Sequence, residues 1–311
     1  MRVLVTGGSG FLGAWIVRHL MEAGHEPLVF DIVGERGKVA EIAGARAARD
    51  LVWVVGDIRR QQDVAMAAQT CDAIIHLAGV LTPACQNNPV RGAEINLIGT
   101  LNVFEVARQQ GLASVVYAST AGVFGSEDAQ HPRPETHYGA FKLATEGSAR
   151  AYWRDAGIAS VGFRPFVVYG PGRDGGLSAG PSLACHAAAR GEPYVVPFSG
   201  DCGMVYVEDA AALFVRAATS PTQGAHVFNL VGDTVSMTEV VDTLKAIVPQ
   251  ARLSIDGPPM PIAAGQSDAE LDVHFPGRPR TSLAEGLAAT VRFYQAQFAE
   301  GVAASPAGQT A

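Results

Sequence analysis

Tyr138 and Lys142 lie four residues apart in the run Tyr138-Gly139-Ala140-Phe141-Lys142. On a helix that spacing puts both side chains on one face. A free tyrosine titrates at about pH 10 and is a poor base at neutrality, but a neighbouring ammonium favours its phenolate. The pair is therefore a candidate proton acceptor for a substrate hydroxyl. A bare Tyr-x-x-x-Lys is a frequent accident, so the reading needs company. Thr120 stands eighteen residues before the tyrosine, in Ala118-Ser119-Thr120-Ala121-Gly122-Val123-Phe124-Gly125. A hydroxyl there can orient a substrate and share its proton, or can cap a turn. Asn96, in Asn96-Leu97-Ile98-Gly99-Thr100, either links a strand end to the reacting helix or caps a helix of its own.

A second group of residues supplies what a proton acceptor alone lacks. Thr6-Gly7-Gly8-Ser9-Gly10-Phe11-Leu12-Gly13 follows an apolar strand and opens an amphipathic helix. Gly7 permits a sharp turn at positive φ, Gly10 removes a side chain where a pyrophosphate approaches, and Gly13 lets the helix pack close to the strand. The helix start, Phe11 to Gly13, offers free N–H groups and a partial positive charge to phosphates. A glycine triplet alone is a weak signal, but in this position it marks a dinucleotide site. Asp31, with Ile32 beside it, follows the second strand, where a carboxylate accepts hydrogen bonds from an adenosine ribose diol and repels a 2′-phosphate. NAD is thus favoured over NADP, although Arg36 and Lys38 lie close enough in sequence to soften the exclusion. Asp57-Ile58 is placed to receive the adenine, or is an ordinary strand end. In His76-Leu77-Ala78-Gly79 the small residues let the backbone pass under the cofactor, and His76 reads as a packed histidine. With an oxidised nicotinamide as a second positive charge, Tyr138 would take the alcohol proton as hydride leaves the same carbon, and Lys142 would also hold the nicotinamide ribose.

These groups can meet only if the chain is α/β. Short apolar runs at 3–5, 27–30, 51–55, 73–77 and 114–118 alternate with helical stretches, beginning at 11–23, as buried parallel strands do. The expected fold is a Rossmann-like doubly wound parallel sheet over 1–165, with a segment near 205–235 returning to it. A smaller α/β C-terminal substrate lobe spans 166–300, with helical pieces at 183–190, 207–217, 237–247 and 283–297, and 301–311 reads as a flexible tail. Of the 311 residues 48% are hydrophobic, enough for a sizeable core. A net charge of −7 with no basic run argues against nucleic acid. No apolar run approaches the roughly 20 residues that span a membrane. Residues 1–5 read as a strand entering a glycine loop, since glycines break the stretch a secretion signal needs. Cys71, Cys85, Cys185 and Cys202 lack metal-ligand spacing and suit a reducing, cytoplasmic setting.

In order and spacing these motifs make the chain resemble the extended short-chain dehydrogenase/reductases, the NAD-dependent epimerase/dehydratase family. The resemblance also covers Arg164 to Gly172 and Val207-Glu208-Asp209-Ala210-Ala211, and so most of the chain. It implies Thr120, Tyr138 and Lys142 as the catalytic set with Asn96 in support. It sets Ser119, Leu77, Ala78, Gly79, Pro165 and Val167 against the cofactor, and it implies a homodimer through helices near 96–110 and 138–156. Two departures narrow the chemistry. Ala121-Gly122 fills the slot where dehydratases of the family carry Asp-Glu, so elimination of water is not expected. Gly200 to Val207 lacks the arginine that meets nucleotide phosphates in sugar-nucleotide epimerases, and a buried diphosphate without a cation is poorly compensated. Arg173, Arg190 or Arg278 would have to substitute, each otherwise an exposed surface arginine. The expected reaction is oxidation of a secondary alcohol on a sugar-like substrate. Either hydride returns to the other face, as in an epimerase, or ketone and NADH are released, with a smaller polyol, sugar acid or hydroxy acid as substrate. A catalytically silent NAD-binding protein is the remaining alternative, against which the intact Thr120, Tyr138 and Lys142 argue.

Overall fold

The computed structural model describes residues 1–112, 114–220 and 223–299; the tail expected at 301–311 lies outside them. Six strands alternate with helices in the first half: β1 (Arg2–Thr6), β2 (Glu26–Asp31), β3 (Val52–Val55), β4 (Ala73–His76), β5 (Ser114–Ala118) and β6 (Ala159–Pro165). β7 (Val167–Tyr169), β8 (Tyr194–Val196) and β9 (Asp201–Tyr206) follow, then β10 (Ala225–Leu230), β11 (Asp233–Ser236) and β12 (Leu253–Ile255). The main sheet has seven strands in the order β10-β6-β5-β4-β1-β2-β3. Every pairing within it is parallel. This is the Rossmann-like architecture that the alternation of apolar runs and helices implied.

Strand character follows burial. All four residues of β4 are buried, whereas the edge strand β3 is only half covered. β1 and β4 are neighbours in the sheet but far apart in sequence, so the loops leaving their carboxyl ends diverge and open a crevice between them. The segment expected to return near 205–235 supplies the helix Val207–Thr219 and the edge strand β10, which pairs with β6. After β6 the chain passes through Phe166 straight into β7, the start of a second sheet of order β11-β9-β7, and β12 pairs with β8 in a third. The helix read from the sequence as 183–190 begins earlier, at Gly180–Arg190, because Pro181 sits in its first turn, where a missing N–H costs nothing.

One apolar cluster runs unbroken from Val3 and Val29 of the main sheet to Phe198, Leu244 and Val291 beyond it. Phe163 on β6 is central. Its ring centroid lies 4.8 Å from Phe214, 5.9 Å from Phe275 and 6.3 Å from Phe228 of β10. Phe163→Ala removes the ring that joins these three, and we expect it to lower unfolding free energy in urea titrations by about 3–5 kcal/mol.

Candidate active site

At the crevice the glycine loop is forced by contact. Gly7 has φ 71°, and a Cβ there would lie 2.7 Å from the Ala78 nitrogen. A Cβ on Gly13 would lie 2.5 Å from the Gly7 carbonyl oxygen. The helix Phe11–Glu22 that follows has no side-chain cap and no acid in its first turn, so its leading N–H groups face the crevice uncompensated. The Asp31 carboxylate accepts from Ile32 N at 2.8 Å, from Ser9 N at 3.2 Å and from the Ser9 hydroxyl. Asp31, Ile32, Asp57, Ile58 and Ala78 line a compartment of about 400 Å³. Asp57, weighed for the adenine amine, lines this compartment as a paired rather than a lone carboxylate. Arg59 grips its carboxylate, with Nη2 at 2.6 Å, and holds its pKa below the usual range. Arg36 lies over Trp53, and Lys38 bonds Asp174, so neither cation is committed to Asp31. A glycine cradle, an uncapped helix start and a carboxylate at the strand end fit a dinucleotide with an unmodified ribose.

A second compartment of about 400 Å³ shares Gly7, Gly10, Leu77 and Gly79 with the first, so the two form one cleft. Thr120, Tyr138, Pro165 and Val167 line it, with Phe11, Leu12 and Gly13. Thr136 caps the helix His137–Ala156 by accepting from Gly139 N at 3.0 Å. A Cβ on Gly139 would lie only 2.3 Å from the Gly122 carbonyl oxygen. The helix start therefore presses on the turn Ala121–Val123, and this contact draws Tyr138 towards Thr120. Thr120 Oγ1 accepts from Gly122 N at 3.1 Å, so the turn-capping role considered from sequence holds, while its own hydrogen can be donated to Tyr138.

Lys142 is buried. Its Nζ donates to the Ala118 carbonyl at 2.8 Å and lies 5.8 Å from the Tyr138 ring centre. Burial pushes its pKa down to about 8. Burial also pushes Tyr138 up to about 12, with Arg173 and a hydrogen bond donated by Thr120 pulling the other way. Ser119 lines the same compartment, and its hydroxyl turns inward to Glu146 at 2.5 Å. Arg164 holds that fully buried carboxylate from Nε at 2.8 Å and Nη2 at 2.6 Å.

Asn96 is fully buried in a π-helical turn, Glu94–Ile98. Its amide donates to Val80 O and Gly92 O and accepts from Val80 N, so it positions the β4 exit rather than capping a helix or facing the cleft. His76 supports the same place. Thr6 Oγ1 accepts from Leu77 and Ala78 N–H groups and so donates to His76 Nδ1 at 2.7 Å. His76 Nε2–H then donates to Thr100, whose hydroxyl donates to Asn96 O. Burial lowers the His76 pKa to about 3, which keeps this chain neutral.

Of the three arginines weighed as substitutes, Arg278 is committed to Asp268 and Asp272, and Arg190 to Glu192. Arg173 lines the cleft. Its loop is pinned from outside by Trp15 Nε1 on Pro171 O, Lys38 Nζ on Gly172 O and the Tyr294 hydroxyl on Gly172 N. The only sequence signal for Arg173 was its place just after Gly170-Pro171-Gly172.

Comparison with known proteins places the family and the fold. Residues 3–231 match the model of the NAD dependent epimerase/dehydratase family. A UDP-glucose 4-epimerase of Mycolicibacterium smegmatis is 28% identical over 95% of this chain and 99% of its own. A 2-alkyl-3-oxoalkanoate reductase of Stenotrophomonas maltophilia is 29% identical over 81% of this chain and 77% of its own. The crystal structure of a Thermus thermophilus UDP-glucose 4-epimerase complex with NAD superposes with a TM-score of 0.81, at 28% identity, covering 95% of this chain and 99% of that one.

The Asp31 carboxylate sets a testable selectivity. Asp31→Ser removes a charge that would sit against a 2′-phosphate, and should raise the affinity for NADPH relative to NADH by about 10-fold or more in fluorescence titrations.

Proposed function

The chain belongs to the NAD-dependent epimerase/dehydratase family, and on that premise we propose that it oxidises a secondary alcohol of a sugar-like substrate with Tyr138 as the general base. NAD, when bound, supplies the hydride acceptor. The observation that carries the reading is the shared wall of Thr120 and Tyr138 with the Lys142 ammonium behind the tyrosine ring. Thr120 orients the alcohol, Tyr138 takes its proton, and Lys142 stabilises the phenolate that proton loss exposes. In this reading 1–165, with β10, hold the cofactor, 166–300 shape the substrate side, and two copies pair through the helices Gly99–Gln110 and His137–Ala156.

Relatives that are sugar-nucleotide epimerases favour return of the hydride to the other face. A second reading, net dehydrogenation of a smaller substrate, is favoured by β9, which carries no arginine, and by the commitment of Arg190 and Arg278 elsewhere. A relative named for an alkyl keto acid supports it too. A screen of sugar nucleotides, free sugars, aldonates and hydroxy acids separates the two. NADH accumulates with a dehydrogenase, while an epimerase inverts its substrate without net NADH. Tyr138→Phe should lower either activity by about 1000-fold; full activity in that variant would remove Tyr138 from the mechanism.

The pH dependence follows from the pair. Lys142 at about 8 and Tyr138 at about 12 means one proton leaves the pair on the alkaline side of neutrality. A positive nicotinamide favours taking that proton from the phenol. Because the base must be deprotonated and burial holds Tyr138 up at about 12, kcat/KM for oxidation should rise with a one-proton slope as pH increases above neutrality. Lys142→Met withdraws the charge that favours the phenolate and should move that limb upward by about one pH unit or more.

A further inference from the structure

Resting on the reading that Thr120 and Tyr138 act on an alcohol, we infer that Arg173 is the carboxylate-binding residue of the same cleft, which makes the substrate a hydroxy acid bearing one negative charge and an apolar substituent. Arg173 stands on the wall that Val168, Leu177 and Ser178 share with Tyr138, outside the compartment lined by Asp31. Its guanidinium is fixed by two protein acceptors, Nη1 to Val168 O at 2.6 Å and Nη2 to Ser178 Oγ at 2.8 Å, and lies 5.6 Å from the Phe11 ring centre. Of its five N–H groups these bonds use two, and Nε is buried without a partner. No carboxylate pairs with Arg173 among the described residues. Its neighbour Asp174 is taken by Lys38. A desolvated, unpaired guanidinium on a cleft wall is incomplete until an anion arrives.

The charge around it sets how large that anion is. Glu135 also lines the cleft, held ionised by Ser126 N and Oγ. A diphosphate would bring two charges to one cation with carboxylates nearby, whereas a carboxylate brings one and matches the planar fork. Arg59 belongs to the other compartment and is spent on Asp57 and Glu94. Much of the remaining wall is apolar: Leu81 and Leu177 stand about half exposed at the cleft, and Ile262, Met260 and Phe166 line it too. These leave a place for alkyl rather than hydroxylated carbon.

The test uses the full chain with NAD and short 2- and 3-hydroxy acids, each beside the diol of the same carbon skeleton, followed by NADH absorbance. At least one acid should exceed its diol by about 100-fold in kcat/KM. Arg173→Met should collapse that preference, chiefly through KM, and Arg173→Lys should restore only part of it, since an ammonium keeps the charge but not the fork. NADH affinity and melting temperature should stay at wild-type values in both variants. Equal turnover of acids and diols, or a preference that survives both substitutions, overturns the inference. So does loss of NADH binding in the variants, which would assign the arginine to the cofactor's pyrophosphate. Turnover of a diol or sugar nucleotide that Tyr138→Phe abolishes and Arg173→Met spares would sink the carboxylate site while leaving the alcohol-oxidation reading intact.

Discussion

A side chain at Gly7 would place its Cβ 2.7 Å from the Ala78 nitrogen, so the chain leaving β1 can pass the chain leaving β4 only as a glycine. From that close approach the rest of the cleft follows. It sets the start of the helix Phe11–Glu22 at the crevice, with Gly13 packed on Gly7 in turn. The last side chain of β1, Thr6, satisfies the β4 exit by accepting from Leu77 and Ala78 N, and His76, Thr100 and Asn96 continue the tie beneath it. Each hydroxyl in that chain both accepts and donates, which fixes the histidine tautomer and keeps a buried, neutral strut under the cofactor loop.

Charge is handled in two ways along one face of the helix His137–Ala156. Glu146 and Arg164 neutralise each other in the interior and hold the Ser119 hydroxyl, which steadies the chain next to Thr120. Lys142 has a carbonyl for a partner and no carboxylate. Its desolvation is left partly uncompensated, which is what pushes its pKa down to about 8. Glu146 stands one helical turn beyond Lys142, and the same helix therefore carries one settled ion and one unsettled one.

Much of this was legible in the sequence because it is local. Gly7 to Gly13 declares a strand-turn-helix by spacing together with the apolar run before it and the amphipathic run after it, Asp31 is placed by the end of β2, and Tyr138 with Lys142 is placed by helical periodicity. The parallel sheet was legible for the same reason, since buried strands are continuous apolar runs. What escaped depends on partners distant in the chain. Nothing near Gly139 announces that Gly122 lies against it, and nothing near Ser119 announces that its hydroxyl faces Glu146. Arg59 is two residues from Asp57, yet whether it embraces that carboxylate or leaves it to a ligand is a matter of side-chain direction, which spacing does not encode. Arg173 looked like any surface arginine until its loop was seen folded into the cleft.

That loop has a consequence for how such a protein diverges. Trp15, Lys38 and Tyr294 hold its backbone at Pro171 and Gly172, from the outer side and from segments scattered across the chain. The aim of the guanidinium is thus inherited through residues that meet no substrate. A lineage could retune what the cleft accepts by altering an indole, a lysine or a phenol on the back of the loop, with every cleft-lining side chain kept. Descendants compared only by their pocket residues would then look identical while preferring different molecules.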